Sequence, residues 1–283
     1  MNGNGNSDKA DVSAQPKRRR ASWPLIILAA LFIVVPFLTW YGTWFGRDLS
    51  DADINKYLAD EKNPRHIQHA LSQIETRIEK RDPNVRKFYP KIIGLSRSPV
   101  AEIRKTTAWV MGQDPAAEEF HGALLALLAD TEPLVRRNAA LQLVRFGDAS
   151  GRGELRAMLQ PFEVKSTIAG TIVSILPQGT KIKAGGLLAR IRDAANTVQE
   201  FRSPLDGSIS SVATKESEVV SVGQTVAWLS PDQATVNDAL RGLAYVGTKD
   251  DLSLVESFAE AGAGAETGQQ ATLTAKAIRA RGN

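Results

Sequence analysis

The hydrophobic positions change their spacing three times along the chain, and each change predicts a different kind of element. Residues 21 to 46 carry no charge, and their apolar centre from Pro24 to Leu38 is flanked by Trp23 on one side and by Trp40, Tyr41, Trp44 and Phe45 on the other. A hydrocarbon core is crossed by about 20 helical residues, with aromatic rings favoured at both interfaces, so the pattern predicts a single transmembrane helix over 23–46. From 51 to 160 the apolar positions return every three or four residues, as in Ile67, Leu71, Ile74 and Ile78 behind Pro64, which predicts amphipathic helices. Between 161 and 231 Val, Ile and Leu alternate with polar residues and are bounded by Gly, Pro and Ser, a strand pattern. Helical spacing resumes over 232–283 with Val236, Ala239, Leu240, Leu243 and Ala244.

Both regions repeat internally. S-P-V-A-E-I-R-K-T-T-A-W-V-M-G-Q-D, residues 98–114, matches T-E-P-L-V-R-R-N-A-A-L-Q-L-V-R-F-G-D, residues 131–148. Each copy has a proline near the helix start (Pro99, Pro133), an arginine one turn later (Arg104, Arg136), small residues in mid-helix and a closing glycine (Gly112, Gly147), the two glycines lying 35 residues apart. These motifs resemble a HEAT or armadillo-type repeat, which implies an α-solenoid presenting a continuous surface to partner proteins. The equivalent Arg104 and Arg136 are expected to bridge to acidic groups at the repeat turns, Asp130 for example.

In the strand region, I-A-G-T-I-V (168–173) and K-I-K-A-G-G-L-L-A-R-I (181–191) are answered by L-D-G-S-I-S (205–210) and V-V-S-V-G-Q-T-V-A-W-L (219–229). The glycines keep step, with Gly170 to Gly207 an offset of 37 and Gly185 to Gly223 an offset of 38. This duplication resembles the biotinyl/lipoyl-like barrel-sandwich domain. Two families use that domain: carriers that attach a cofactor to a lysine at the turn between the halves, and membrane-fusion or periplasmic adaptor proteins that do not.

A third helical copy follows the strands. Residues 232–247 read as the second helix of a repeat whose first helix is 151–160, which implies that the β domain is inserted within a helix pair. A final pair is expected over 250–261 and 270–281. The expected fold class is therefore a multidomain α and β chain: a single transmembrane helix, an α-solenoid (HEAT-like) array over 51–160 and 232–283, and an all-β barrel-sandwich hybrid domain inserted at 161–231.

Charge refines this picture. The chain of 283 residues has no cysteine, which excludes disulfides and thiolate chemistry, and a net charge of +4. Residues 1–22, rich in Asn, Gly and Ser, hold +3 of that, so the rest is near neutral and lacks the basic body that nucleic acid would require. Residues 1–22 are expected to be a disordered basic cytoplasmic tail. Lys17, Arg18, Arg19 and Arg20 before the apolar run, against Arg47, Asp48, Asp51 and Asp53 after it, orient the amino terminus to the cytoplasm. The expected location is the inner (cytoplasmic) membrane, single-pass, with the C-terminal domains periplasmic.

The candidate chemistry is sparse. In a carrier, the modified lysine falls near Asn196, but no lysine lies between Lys183 and Lys215, and the biotin signature Met-Lys-Met is missing. No cofactor is therefore expected. The adaptor resemblance is also incomplete, since the link over 193–202 is too short for the long helical hairpin of that family. His66 and His69 are three apart and could share a helix face, but no third nitrogen or sulfur ligand is near in sequence, and His121 is alone. G-D-A-S-G-R-G (147–153) lacks the G-K-[ST] of a phosphate loop, and neither G-x-S-x-G nor H-E-x-x-H occurs.

No catalytic, cofactor or metal residue is thus expected, and the chain reads as a non-enzyme. The function that follows is a membrane-anchored protein-interaction scaffold, an adaptor-like component of a cell-envelope or transport assembly. Its expected partners are the lipid bilayer, other envelope or transporter proteins and a second copy of itself, with contacts around 177–180 and 214–217. Two other readings stand beside it: a carrier or accessory subunit related to biotin- or lipoyl-dependent enzymes, unmodified here, and a purely structural membrane anchor.

Overall fold

The computed structural model describes residues 23–40, 48–260 and 264–282. Two compact units are present, residues 1–48 and 49–283. The expected tail at 1–22 lies outside the described residues.

In the first unit, α1 (Trp23–Trp40) is an 18-residue helix containing Pro36. At a rise of about 1.5 Å per residue it is roughly 27 Å long, against a hydrocarbon core of roughly 30 Å. Among the described residues no helix is long and apolar enough to cross a membrane. The span over 23–46 and the single-pass inner-membrane location are corrected on that finding. Residues 41–46, which the apolar run adds, lie outside the described residues.

The second unit begins with α2 (Asp51–Leu58), capped by the Ser50 hydroxyl, which accepts from the Asp53 N–H at 3.2 Å. Then follow α3 (Pro64–Glu79), α4 (Tyr89–Leu95), α5 (Ala101–Met111), α6 (Glu118–Leu127), α7 (Pro133–Arg145) and α8 (Arg152–Ala157). Proline in the first turn starts α3 and α7 where its missing N–H costs nothing. Ile67, Leu71, Ile74 and Ile78 are buried along one face of α3, each worth about 1.5–3 kcal/mol of burial. After the strands come α9 (Gln233–Val246), α10 (Leu252–Glu260) and α11 (Ala265–Arg281). The helices α3, α5, α7, α9 and α11 pack each on the next in a row.

Between α8 and α9 lie eight strands: β1 (Phe162–Lys165), β2 (Gly170–Ile175), β3 (Lys181–Ile182), β4 (Leu187–Arg192), β5 (Val198–Arg202), β6 (Gly207–Val212), β7 (Val219–Val220) and β8 (Thr225–Ser230). They form two antiparallel sheets, ordered β1-β8-β6-β3 and β5-β4-β2-β7. The duplication acts by exchange: the short β3 of the first half pairs with β6, and the short β7 of the second half pairs with β2. The glycines that keep step have matching work. A Cβ on Gly170 would stand 2.2 Å from the Arg192 carbonyl oxygen, and one on Gly207 would stand 2.4 Å from that of Ser230. Gly185 and Gly223 take matching left-handed turns, at φ 75° and 85°.

The barrel expectation is corrected here. Closure needs a ladder between edge strands, and β3 and β7 stop after two residues each. The fold class as a whole becomes a mixed α and β chain, with eleven α-helices and two small antiparallel sheets among the described residues, and neither a spanning helix nor a closed barrel.

Three apolar cores hold the second unit. One fills the helices from Leu49 to Leu143, and one fills the sandwich. The third joins Leu155, Met158 and Leu159 to Leu240, Leu243, Val255, Ala271 and Ile278, so α8 packs on α9 with the sandwich between them in sequence. Leu134 of α7 packs against the sandwich core, and the Arg137 guanidinium lies 5.8 Å from the Phe162 ring centroid.

Candidate functional site

A single residue type decides whether the β4–β5 connection could carry a cofactor. The β4–β5 connection is tied by Asp193, whose Oδ1 accepts from the N–H groups of Ala195 and Thr197 at 2.9 Å each and whose Oδ2 accepts from Gln199 at 2.5 Å. The Thr197 N–H, ahead of Gln199, holds its carboxyl below the usual carboxylate range. Asn196 sits at the exposed tip with φ 62°, a left-handed conformation that asparagine tolerates. Its side-chain amide is no nucleophile for attaching a cofactor carboxyl. Lys183, the lysine before it in sequence, is instead bound to Asp206 at 2.8 Å and Asp232 at 3.4 Å, and the Asp206 bond raises its pKa.

The histidines are tied into structural pairs. His66 Nδ1 lies 2.7 Å from Asp60 Oδ2 and its ring stacks on Tyr57 at 4.4 Å, while His69 is tilted against the same Tyr57 at 6.0 Å. Among the described residues, no group of three or more His, Asp or Glu side chains could hold a metal ion. His121, isolated in sequence, meets Asp148 at 2.6 Å and stacks on Phe146 at 5.5 Å. The Asp148 bond raises its pKa.

The repeat arginines form a ladder of bridges. Arg104 clasps both oxygens of Asp130, at 2.6 and 2.8 Å, and donates to the Ser98 carbonyl at 2.8 Å. That clasp holds Asp130 below the usual carboxylate range. Arg136 donates to the Asp130 carbonyl at 2.8 Å and reaches Glu154 at 3.3 Å. A further step joins the two sides of the insertion: Arg152 bridges both oxygens of Asp251, at 2.8 and 3.2 Å, and Arg156 adds a bond at 2.5 Å. Burial pushes the fully buried Asp251 carboxyl up, but bonds from Arg152, the Thr248 N–H and Arg156 outweigh it and hold the pKa low.

An open cleft of about 800 Å³ lies where β3 and β6 meet α9. Its wall carries both signs of charge: Lys181, Lys183 and Arg241 against Asp232, Asp238 and Glu266. Asp232 caps α9, accepting from the Thr235 N–H at 2.9 Å. Asn237 donates to Glu266 at 3.2 Å, and Arg241 bridges Asp238 at 3.2 Å and Glu266 at 3.8 Å. Most of these charges are paired with one another across the wall, Lys183 with Asp206 and Asp232, and Arg241 with Asp238 and Glu266.

No protein-family model and no curated protein matches the chain. A solved structure of a single-chain, multi-domain long-chain acyl-CoA carboxylase is similar in part, with 18% identity over 35% of this chain and 12% of that chain, at a TM-score of 0.24. Likeness so slight says nothing of this chain's fold or activity.

The Arg104–Asp130 clasp follows from repeat spacing. The Asp251 clasp and the cleft do not, since Arg152 and Asp251 stand 99 residues apart. The T-K-D-D run at 248–251 was one available signal: Thr248 and Asp251 make a reciprocal capping box, which marks Asp251 as a turn carboxylate.

Proposed function

We propose that the protein is a non-enzymatic interaction scaffold, in which a braced row of helices holds the β sandwich and a partner's polar segment binds at their joint. The observation that carries this reading is the open, two-signed cleft between β3 and α9, beside the exposed turn at 177–179. The reading also draws on the resemblance of the duplicated strands to biotinyl/lipoyl-like modules of adaptor proteins, which act without a modified lysine.

A photo-crosslinking residue placed at the exposed Gln233 in the cleft, in the native host, tests it, with the same residue at Ser257 as control. Partners captured from Gln233 and lost in Lys183→Glu or Arg241→Glu are expected. Identical captures from both positions would remove the cleft as the contact. Intact-mass measurement of the same material addresses the carrier reading, since an added biotin or lipoyl group would overturn the scaffold.

A further inference from the structure

β5 is the outer strand of its sheet, and residues 194–200, which lead into it and form most of it, are all exposed. The Asp193 N–H donates to the Thr197 carbonyl at 3.0 Å and the Ser203 N–H to the Gly186 carbonyl at 2.8 Å. Backbone direction alternates along an antiparallel strand. Residues 197, 199, 201 and 203 therefore turn their polar groups toward β4, and Val198, Glu200 and Arg202 point theirs out of the open edge. Such an edge is a template for another strand. The edges at β3 and β7 are two residues long, and β1 is held at Phe162 against Arg137.

We propose that this edge joins a second copy of the chain as an antiparallel, two-fold strand pair centred on Phe201. Charge selects both the occupant and the register. Outward groups must meet outward groups, which allows two-fold centres at residues 199, 200 or 201. A centre at 200 sets Glu200 against its own copy, and like charges directly opposite are destabilising. A centre at 199 sets Val198 against Glu200 and leaves Arg202 opposite Asn196. A centre at 201 sets Glu200 of each copy against Arg202 of the other, and the symmetry makes that pair twice. An edge of one sign would repel its copy, whereas this one is self-complementary. In the single chain Glu200 and Arg202 bridge each other, so pairing exchanges two intrachain bridges, one in each copy, for two interchain ones, and the gain comes from the backbone bonds of the paired edges.

Two short strands bury far less than the roughly 1,200–2,000 Å² of a standing interface, so the association is reversible and concentration dependent. This inference goes beyond the scaffold reading and does not depend on it.

Analytical ultracentrifugation of the full chain over a concentration series tests it, with amide hydrogen exchange on the same samples. Self-association is expected, with slowed exchange at Glu200 and Arg202. Arg202→Glu should weaken it by about tenfold or more, because symmetry applies the change twice. The exchanged pair Glu200→Arg with Arg202→Glu should restore it. A chain that stays monomeric throughout, or a dimer indifferent to Arg202→Glu, would overturn the proposal. Either result would leave the cleft untouched.

Discussion

A carboxylate without exposed surface stays ionised only where donors replace the water it has lost. Asp251 meets that condition through Arg152, Arg156 and the Thr248 N–H, which reach it from both sides of the inserted sandwich. Replacing it with asparagine leaves two guanidinium groups facing a neutral amide. Because the arginines are themselves partly exposed, the expected cost at neutral pH is about 2–4 kcal/mol, at the lower side of values for broken buried pairs, read by urea unfolding. Its folded pKa is depressed, so its stabilisation is fully present above the unfolded carboxylate value of about 3.9 and is lost as pH falls through the folded value. The gap between wild type and Asp251→Asn should therefore be constant near neutrality and close in acid. A gap that widened in acid would remove this role. At this scale legibility follows distance along the chain: Arg104 and Asp130 are set by the repeat, while nothing local ties Arg152 to a residue 99 positions away.

At the scale of elements, the sandwich interrupts the helices without parting them. Gly242 lies where α9 crosses α8, and a Cβ there would come within 3.0 Å of Leu155 Cδ1. Gly242→Val should force the two helices apart at a cost of about 1–3 kcal/mol, seen as a lower thermal midpoint; an unchanged midpoint would mean that the contact has room to give. The alternation of apolar residues made the strands legible, and the stepped glycines made the two halves legible. Which strands pair was not legible, because the exchange of β3 and β7 between halves depends on contacts across the whole domain. That exchange, with each short strand ending after two residues, is what leaves an open sandwich rather than the expected barrel.

For the second unit as a whole, the separate cores predict separable folding. The core of α8 to α11 is continuous across the insertion, and the sandwich has a core of its own with Leu134 the helical residue packed against it. A chain in which residues 161–231 are replaced by a flexible Gly/Ser linker should keep its helical circular dichroism and unfold cooperatively. Loss of helix over 232–282 in that chain would show that the sandwich holds the two sides together. The apolar run at 23–46 is a different case: among the described residues it is represented by α1, Trp23–Trp40, and no helix there is long and apolar enough to cross a membrane. By itself the sequence determined which stretches are helix and which are strand, the duplications and the missing lysine at the turn near Asn196, but not a membrane span or a closed barrel, because period, glycine spacing and residue identity are local properties. Only the tertiary structure decided the strand exchange, the Asp251 clasp and the cleft against α9, because each depends on groups brought together from distant parts of the chain.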